Sequence, residues 1–303
     1  MTEHNSSRPD VVLLAGPTAS GKSALAVELA TQFGADVVNA DSMQVYAELQ
    51  VLSARPTLED MHGVPHHLFG HVPGREQYDT ARWLADVATL MAERKPLVLV
   101  GGTGLYFSAL ERGLSELPQI PDDVRARVRA RFSELGAEGA HSWLKDVDPL
   151  AAERLDRNDS QRIQRALEVF EATGRSMFDQ PQPAPESLLL HGLNVRRIVL
   201  EPPRAVLHQR ISARFDGMVR AGALAEVSAL NEMDLPEDRT ILKAIGVPEF
   251  RAHLAGEISI DQAVTNAKTA TRRYAKRQST WFRNQMDASW QRIEQTHQAY
   301  LAQ

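Results

Sequence analysis

In its first third the chain alternates unbroken apolar runs with stretches whose apolar positions recur at helical spacing. Val11-Val12-Leu13-Leu14-Ala15 and Leu97-Val98-Leu99-Val100 are the apolar runs, and the segment 36–40 around Val37-Val38 is a third strand candidate. Runs without interleaved polar residues predict strands buried on both faces, as in a parallel sheet covered by helices. The intervening stretches 23–31 and 78–93 carry the helical period. Strands alternating with helices predict an α/β fold. The texture changes near Leu117-Pro118, and from Asp122 to about Gly174 the pattern is helical throughout. Arg125, Arg127, Arg129 and Arg131 give that region arginine-rich surfaces. Gln180-Pro181-Gln182-Pro183-Ala184-Pro185 then breaks the chain, and strand character returns at 195–200. Helices are expected from there to the C-terminus, with a turn at Gly246-Val247-Pro248. The organisation predicted is an α/β core built from 10–116 and 194–303, interrupted by an all-helical insertion at 117–193. The polar residues 1–9 read as an arm outside the fold.

Between the first strand and the first helix lies Gly16-Pro17-Thr18-Ala19-Ser20-Gly21-Lys22-Ser23, which matches G-x-x-x-x-G-K-[ST]. Such a loop turns its backbone N–H groups and a helix N-terminus toward a polyphosphate. Lys22 supplies a positive charge to the terminal phosphate, and Ser23 a hydroxyl for a magnesium ion. The fold expected is therefore a P-loop NTPase-like parallel sheet flanked by helices.

Ligands of open parallel sheets sit at the carboxyl ends of the strands. Three polar clusters follow strand ends here: the phosphate loop, Asp41-Ser42-Met43-Gln44, and Gly101-Gly102-Thr103-Gly104. They are expected to converge on one crevice. In a P-loop NTPase a second apolar strand usually ends in an Asp that holds magnesium. The run 97–100 instead leads into Gly101-Gly102-Thr103, and the acid placed at a strand end is Asp41. That weakens a hydrolase reading and favours a transferase that recognises phosphate while activating a separate acceptor. Asp41 is then the natural general base, or else the cap of a following helix.

The chain has 303 residues, a net charge of -5 and no cysteine. Disulfides, thiolate metal sites and a cysteine nucleophile are excluded, and a reducing, cytoplasmic setting is expected. No apolar run approaches the roughly 20 residues of a membrane helix, and the polar start has no secretory pattern. The modest negative charge argues weakly against a nucleic-acid partner, but its distribution argues the other way. The window 268–283 holds Lys268, Arg272, Arg273, Lys276, Arg277 and Arg283 and no acidic residue. A solvated helix face would interleave acids, so this face is expected to bind phosphate. Adjacent His66 and His67 have no third ligand at metal-site spacing and read as structural. Trp281 and Phe282 read as core residues.

The ordered set GPTASGKS (16–23), DSMQVY (41–46), PHHL (65–68), GGTGLYF (101–107), DSQRIQRALEVFEATG (159–174) and TRRYAKRQSTWFR (271–283) resembles the bacterial tRNA isopentenyltransferase family, also called tRNA dimethylallyltransferases. The resemblance runs from about residue 10 to residue 285. It implies transfer of a dimethylallyl group from dimethylallyl diphosphate to N6 of the adenine on the 3′ side of the anticodon. It implies that residues 16–23 hold the isoprenoid diphosphate, with Mg2+, and that the helical insertion grips the tRNA anticodon stem-loop. Asp41, Thr103 and Arg214 fall on catalytic positions, Thr103 near the reacting centre and Arg214 near the diphosphate. tRNA contacts are implied for Asp41, Ser42, Met43, Gln44, Thr103, Arg125 and the block Gln161-Arg162-Ile163-Gln164-Arg165. Arg272, Arg273, Lys276 and Arg277 are expected to meet the RNA through its phosphates. The enzyme is expected to be a monomer.

The sequence departs from the family pattern twice. Val51-Leu52-Ser53-Ala54-Arg55-Pro56 replaces an Ile-Gly-Thr-Ala-Lys-Pro-like stretch, and Gly246-Val247-Pro248-Glu249 replaces Gly-Tyr-Arg-Gln. A small-molecule or nucleotide kinase shares the loop and sheet, but it leaves the acid-free basic helix without a purpose. A nucleotide-dependent RNA-binding protein without catalysis leaves Asp41 and Thr103 without one.

Overall fold

A computed structural model of the chain describes residues 8–114, 120–179 and 183–296. The chain divides into two compact units, one formed by 1–111 and 189–303 and the other by 112–188. The expected break at Leu117-Pro118, most of the arm at 1–9, and the first residues of the Pro-rich stretch lie outside the described residues.

The first unit is built on a six-stranded sheet, all of whose pairings are parallel. Its strands are β1 (Val11–Ala15), β2 (Asp36–Asn39), β3 (His66–His67), β4 (Leu97–Gly101), β5 (Val195–Leu200) and β6 (Gln291–Ile293), in the order β3-β2-β4-β1-β5-β6. The alternation of side chains along each strand splits the apolar runs between two cores. Val11, Leu13, Leu97, Leu99, Val38 and Val199 face one core. Val12, Leu14, Val98, Val100, Val37 and Ile198 face the other, against helix α1 (Lys22–Phe33). In β1 and β4 both sheet faces are dry, so no polar residue interrupts those runs. The chain leaves β1 toward β2 on one side and reaches β5 from β4 on the other. This reversal places a crevice at the carboxyl ends of β1 and β4.

Helices α2 (Thr80–Met91) and α3 (Gly104–Arg112) follow β3 and β4. Asp79 caps α2 by accepting the Arg82 N–H at 2.9 Å. Two edge strands depart from expectation. β3 and β6 have two and three residues, too few for any periodicity, and pairing with β2 and β5 defines them. The last described segment is therefore a strand rather than a helix. No helix follows Asp41 either; residues 43–46 form a turn and a bridge from Tyr46 to Val72. Helices α7 (Arg204–Arg220), α8 (Ala223–Glu232), α9 (Val247–Leu254) and α10 (Ile260–Gln285) complete this unit. Among the described residues no helix is long and apolar enough to cross a membrane.

The second unit is helical: α4 (Asp122–Val147), α5 (Pro149–Arg154) and α6 (Ser160–Thr173). The stretch expected to be continuously helical is interrupted. Gly136 (φ 65°) kinks α4, Asp148 caps α5 and Asp159 caps α6. Ile120, Val124, Val128, Trp143, Leu144 and Ile163 form part of its own core.

Candidate active site

The phosphate loop leaves β1 at Gly16 and enters α1 at Lys22. Gly21 takes φ 98° at the helix N-cap, a conformation open to glycine without steric cost. A Cβ on Gly16 would approach Leu200 O to 2.8 Å and Ser20 Oγ to 2.9 Å. The loop is therefore packed tightly against β5. The Arg210 guanidinium donates to Ser20 O at 2.8 Å, and the Lys22 ammonium folds back to Pro17 O at 3.3 Å. Lys22 is surrounded by protein on most sides, although part of its surface meets solvent. Burial lowers its pKa to about 8, Asp41 opposes that shift, and Arg214 adds to it.

Asp41 stands two residues beyond the end of β2. Buried Asn39 fixes its backbone, accepting the Asp41 N–H at 2.8 Å and donating to Asp41 O at 2.9 Å. The Asp41 Oδ1 accepts the Met43 N–H at 3.0 Å. Among the described residues its other oxygen accepts no hydrogen bond, so the turn contact and a free acceptor coexist on one carboxylate.

Thr103 follows β4. Its hydroxyl accepts the Ser42 N–H at 3.0 Å and donates to Ser42 Oγ at 3.3 Å. Thr103 therefore holds the loop that carries Asp41. The glycines around it serve close approach. A Cβ on Gly101 would enter Ala40, one on Gly102 would enter the Gln278 amide, and one on Gly104 would enter the Trp281 ring.

Two cavities meet at these groups. The larger, about 870 Å³, contains the phosphate loop with Arg210 and Arg214. The smaller, about 280 Å³, is walled by Met43, Leu52, Ile211, Phe215 and Ile245 together with Tyr274 and Arg277. Thr18, Ala19, Asp41, Ser53, Arg214 and Met218 line both. A phosphate cradle and a largely apolar chamber thus share one carboxylate and one arginine. Burial pulls half-buried Arg214 below the ordinary guanidinium range, and Asp41 opposes that shift. Tyr274 is pushed well above the usual phenol range, first by burial and then by the Asp41 charge.

A family model described as IPP transferase matches residues 44–285, and one described as isopentenyl transferase matches residues 9–71. The chain belongs to the IPP transferase family. The tRNA dimethylallyltransferase of Rhizobium johnstonii is 52% identical over 290 residues, covering 94% of this chain and 97% of its own. That of Sinorhizobium medicae is 50% identical over 290 residues, covering 94% of each. Among solved structures, the tRNA isopentenylpyrophosphate transferase of Bacillus halodurans has a TM-score of 0.66 and 34% identity, covering 93% of this chain and 89% of its own. A eukaryotic dimethylallyltransferase captured acting on tRNA has a TM-score of 0.73 and 27% identity, covering 90% of this chain and 69% of its own.

In this IPP transferase the remaining sequence-identified residues fall into distinct environments. Gln44 donates to Ser53 O and Ala54 O, each at 3.0 Å, so its amide holds the wall of the small cavity. In the helical unit Gln161 and Arg162 are exposed on α6. Ile163 is fully buried in the unit's core, so its side chain has no access to a ligand. Gln164 donates to Glu168 at 2.9 Å, and Arg165 lies 3.5 Å from the same carboxylate. The Arg125 Nε is buried without a hydrogen-bond partner. His66 contacts Val64 O and His67 contacts Asp36, so the two rings serve separate neighbours. Phe282 is core, whereas Trp281 is half-buried.

The basic run does not form the single face expected of it. Lys268 is paired with Asp216 at 2.5 Å. Arg277 lines the small cavity and lies over the Tyr274 ring at 5.6 Å. Arg272 and Lys276 line a different cavity, and Arg273 lies with Arg277 and Trp281.

Several site residues escaped the sequence reading. Gln278 accepts the Thr18 N–H and donates to Gly102 O, both at 2.9 Å. Glu226 accepts the backbone N–H groups of Gln50, Val51 and Leu52 at 2.7, 2.7 and 2.9 Å, fixing the wall that contains Leu52 and Ser53. Asn39 and Arg210 were missed for the same reason: each serves another segment's backbone. Gln278 did carry a signal, since a polar residue on the stripe Ala267, Thr271, Tyr274, Phe282 requires a partner.

Proposed function

We propose that this chain transfers the dimethylallyl group of dimethylallyl diphosphate to N6 of the adenine 3′-adjacent to the anticodon of tRNA, releasing diphosphate. The observation that carries this reading is the junction of the two cavities at Asp41 and Arg214. There a phosphate cradle meets an apolar chamber, with no acid at the end of β4 to support nucleotide hydrolysis. Membership of the IPP transferase family favours it over a kinase.

In this reading the adenine N6 lone pair attacks the first carbon of the dimethylallyl group as that carbon's bond to the diphosphate oxygen breaks. The amine is a poor nucleophile because its lone pair is delocalised into the ring. Asp41 accepts the N6 proton, a role worth about 10²–10⁴-fold. Negative charge develops on the departing diphosphate, where Lys22, Arg214 and the backbone N–H groups of the loop stabilise it. Thr103 acts through Ser42, keeping the Asp41 loop in place.

A magnesium ion fits this site in a limited way. Among the described residues no group of three or more His, Cys, Asp or Glu could hold a metal. The exposed Ser23 hydroxyl at the start of α1 would bind it, with the remaining ligands drawn from diphosphate oxygens and water. When bound, it would neutralise charge on the leaving group.

For tRNA, the sequence-identified residues of the helical insertion at 117–193 that would reach the RNA are the exposed Gln161 and Arg162, together with Arg125. Bases of an RNA loop are unstacked and offer their edges to such side chains. Arg273 and Arg277 would meet the RNA beside the small cavity. The absence of cysteine supports a reducing, cytoplasmic setting, and the protein is read as a monomer.

The test is to incubate the protein with labelled dimethylallyl diphosphate and unmodified tRNA, with labelled ATP in a parallel reaction. Label entering RNA from the isoprenoid alone is the expected result. Phosphate entering any acceptor from ATP would instead support a kinase.

A further inference from the structure

The small cavity has two kinds of wall. One is polar, with Ser42 from the Asp41 loop and Thr271, Tyr274 and Arg277 from α10. The other is apolar, with Leu52, Ile211, Phe215 and Ile245. A base with hydrogen-bonding edges suits the first wall, and an isoprenoid tail suits the second. Ile211 and Phe215 belong to α7, the helix that also carries Arg210 and Arg214. Leu52 comes instead from the turn at 51–54.

That turn is held along its whole length. Glu226 accepts the N–H groups of Gln50, Val51 and Leu52. The Gln44 amide donates to Ser53 O and Ala54 O, and Ser53 Oγ donates to Leu49 O at 2.6 Å. Ser53 lines both cavities at their junction, and Leu52 beside it lines the small one. Leu52 is 8% exposed. Its side chain packs on Gly246, where an added Cβ would come within 2.6 Å of Leu52 Cδ2. Leu52 therefore has backbone against its side chain and hydrogen bonds behind its main chain, which makes it a fixed part of the wall. Met43 and Met218 are partly buried and adaptable by comparison. At about 280 Å³ the chamber is small, since sites for drug-sized ligands run from roughly 300 to 1,000 Å³.

We infer that Leu52, given the proposed dimethylallyl transfer on which this rests, sets the length of the isoprenoid: it accommodates a five-carbon tail and excludes a ten-carbon one. With geranyl diphosphate the bonds made and broken are unchanged. The bond from N6 to the first carbon forms, that carbon's bond to the diphosphate oxygen breaks, and the N6 proton passes to Asp41. The difference lies beyond the reacting carbons, where the longer tail must displace Leu52 or stay off the apolar wall. Displacing a fixed side chain is overpacking, and the extra carbons then cost binding instead of adding to it.

The experiment compares wild type, Leu52→Ala and Leu52→Ile in the full-length protein. Each is given unmodified tRNA with dimethylallyl diphosphate or geranyl diphosphate, and kcat/KM is measured for both donors in one preparation. A single methylene in an apolar pocket is worth about 10–200-fold in discrimination, so the wild type should prefer the shorter donor by at least about tenfold. Leu52→Ala should reduce that preference by at least about tenfold, chiefly through a higher kcat/KM for geranyl diphosphate. Leu52→Ile conserves volume and should keep the wild-type preference. A poorly folded variant lowers both values together and leaves their ratio alone, so the ratio reports the chamber. An unchanged ratio in Leu52→Ala overturns the inference, as does a wild type that uses both donors equally. Preference lost equally in Leu52→Ile would assign it to the turn and overturn the role of side-chain length. Equilibrium binding of the two donors without tRNA is measured alongside. A protein that transfers neither group, yet whose ratio of donor affinities shifts in Leu52→Ala, would contradict the proposed reaction and keep Leu52 as the limit on the tail.

Discussion

Gln278 and Thr18 lie 260 residues apart in the chain and are joined by a 2.9 Å hydrogen bond from the Thr18 N–H to the Gln278 carbonyl. The other end of the same amide donates to Gly102 O at 2.9 Å. One buried side chain thus ties the phosphate loop after β1 to the turn after β4 and anchors both to the basic helix. Gln278→Leu leaves the Thr18 N–H and the Gly102 carbonyl without partners, a loss of about 1–3 kcal/mol for each stranded group. The expected outcome is a lower melting temperature together with a higher KM for dimethylallyl diphosphate. A variant with reduced stability but unchanged donor KM would make Gln278 a packing residue with no part in shaping the loop.

Asp41→Asn keeps an acceptor for the Met43 N–H, so the turn should survive while the proton acceptor is lost. The rate of transfer in single turnover should fall by about 10²–10⁴-fold, with tRNA affinity little changed. Near-normal single-turnover rates would remove Asp41 from the chemistry.

Lys22 gives a pH dependence with a defined sign. Its pKa in the free protein is lowered to about 8, with burial the largest cause. The protonated form binds diphosphate, so donor affinity is full below about pH 8 and declines as pH rises through it. Binding the polyanionic ligand favours the ammonium, so uptake of a proton should accompany binding near that pH. Isothermal titration of diphosphate between pH 7 and 9 in buffers of different ionisation enthalpy would measure both. Lys22→Ala should weaken donor binding and remove this pH dependence; a flat profile in the wild type would contradict the role.

Gly102→Ala places a methyl group against the Gln278 amide and within 3.3 Å of Gly16 O. Overpacking of this kind costs about 1–3 kcal/mol. Denaturant unfolding should show that loss, and donor KM should rise with it because the displaced amide is the one that holds the loop.

β1 was legible because both sheet faces are dry there: residues 11–15 form a strand over the span their apolar run predicts, and β5 covers the expected 195–200 although Arg196 and Arg197 interrupt it. β3 and β6 were not legible, being short edge strands that exist by pairing rather than by pattern. The phosphate loop was readable as a local motif, and Asp41 as an acid at a strand end. What sequence could not show is which side chains serve distant backbones. Glu226 reaches Gln50 across 176 positions, and nothing near either residue announces the other. The basic run was visible as composition, but its division among faces of α10 depends on what packs around the helix.

The most direct measurement of the central claim is the stoichiometry of one reaction. Purified protein, dimethylallyl diphosphate and a tRNA with an unmodified adenine beside its anticodon are reacted to completion, released diphosphate is counted, and the RNA is digested to nucleosides. The account predicts one diphosphate released for each N6-dimethylallyladenosine formed, at that position and with no nucleoside triphosphate required. Diphosphate release without the modified nucleoside, or RNA modification that depends on ATP, would contradict it.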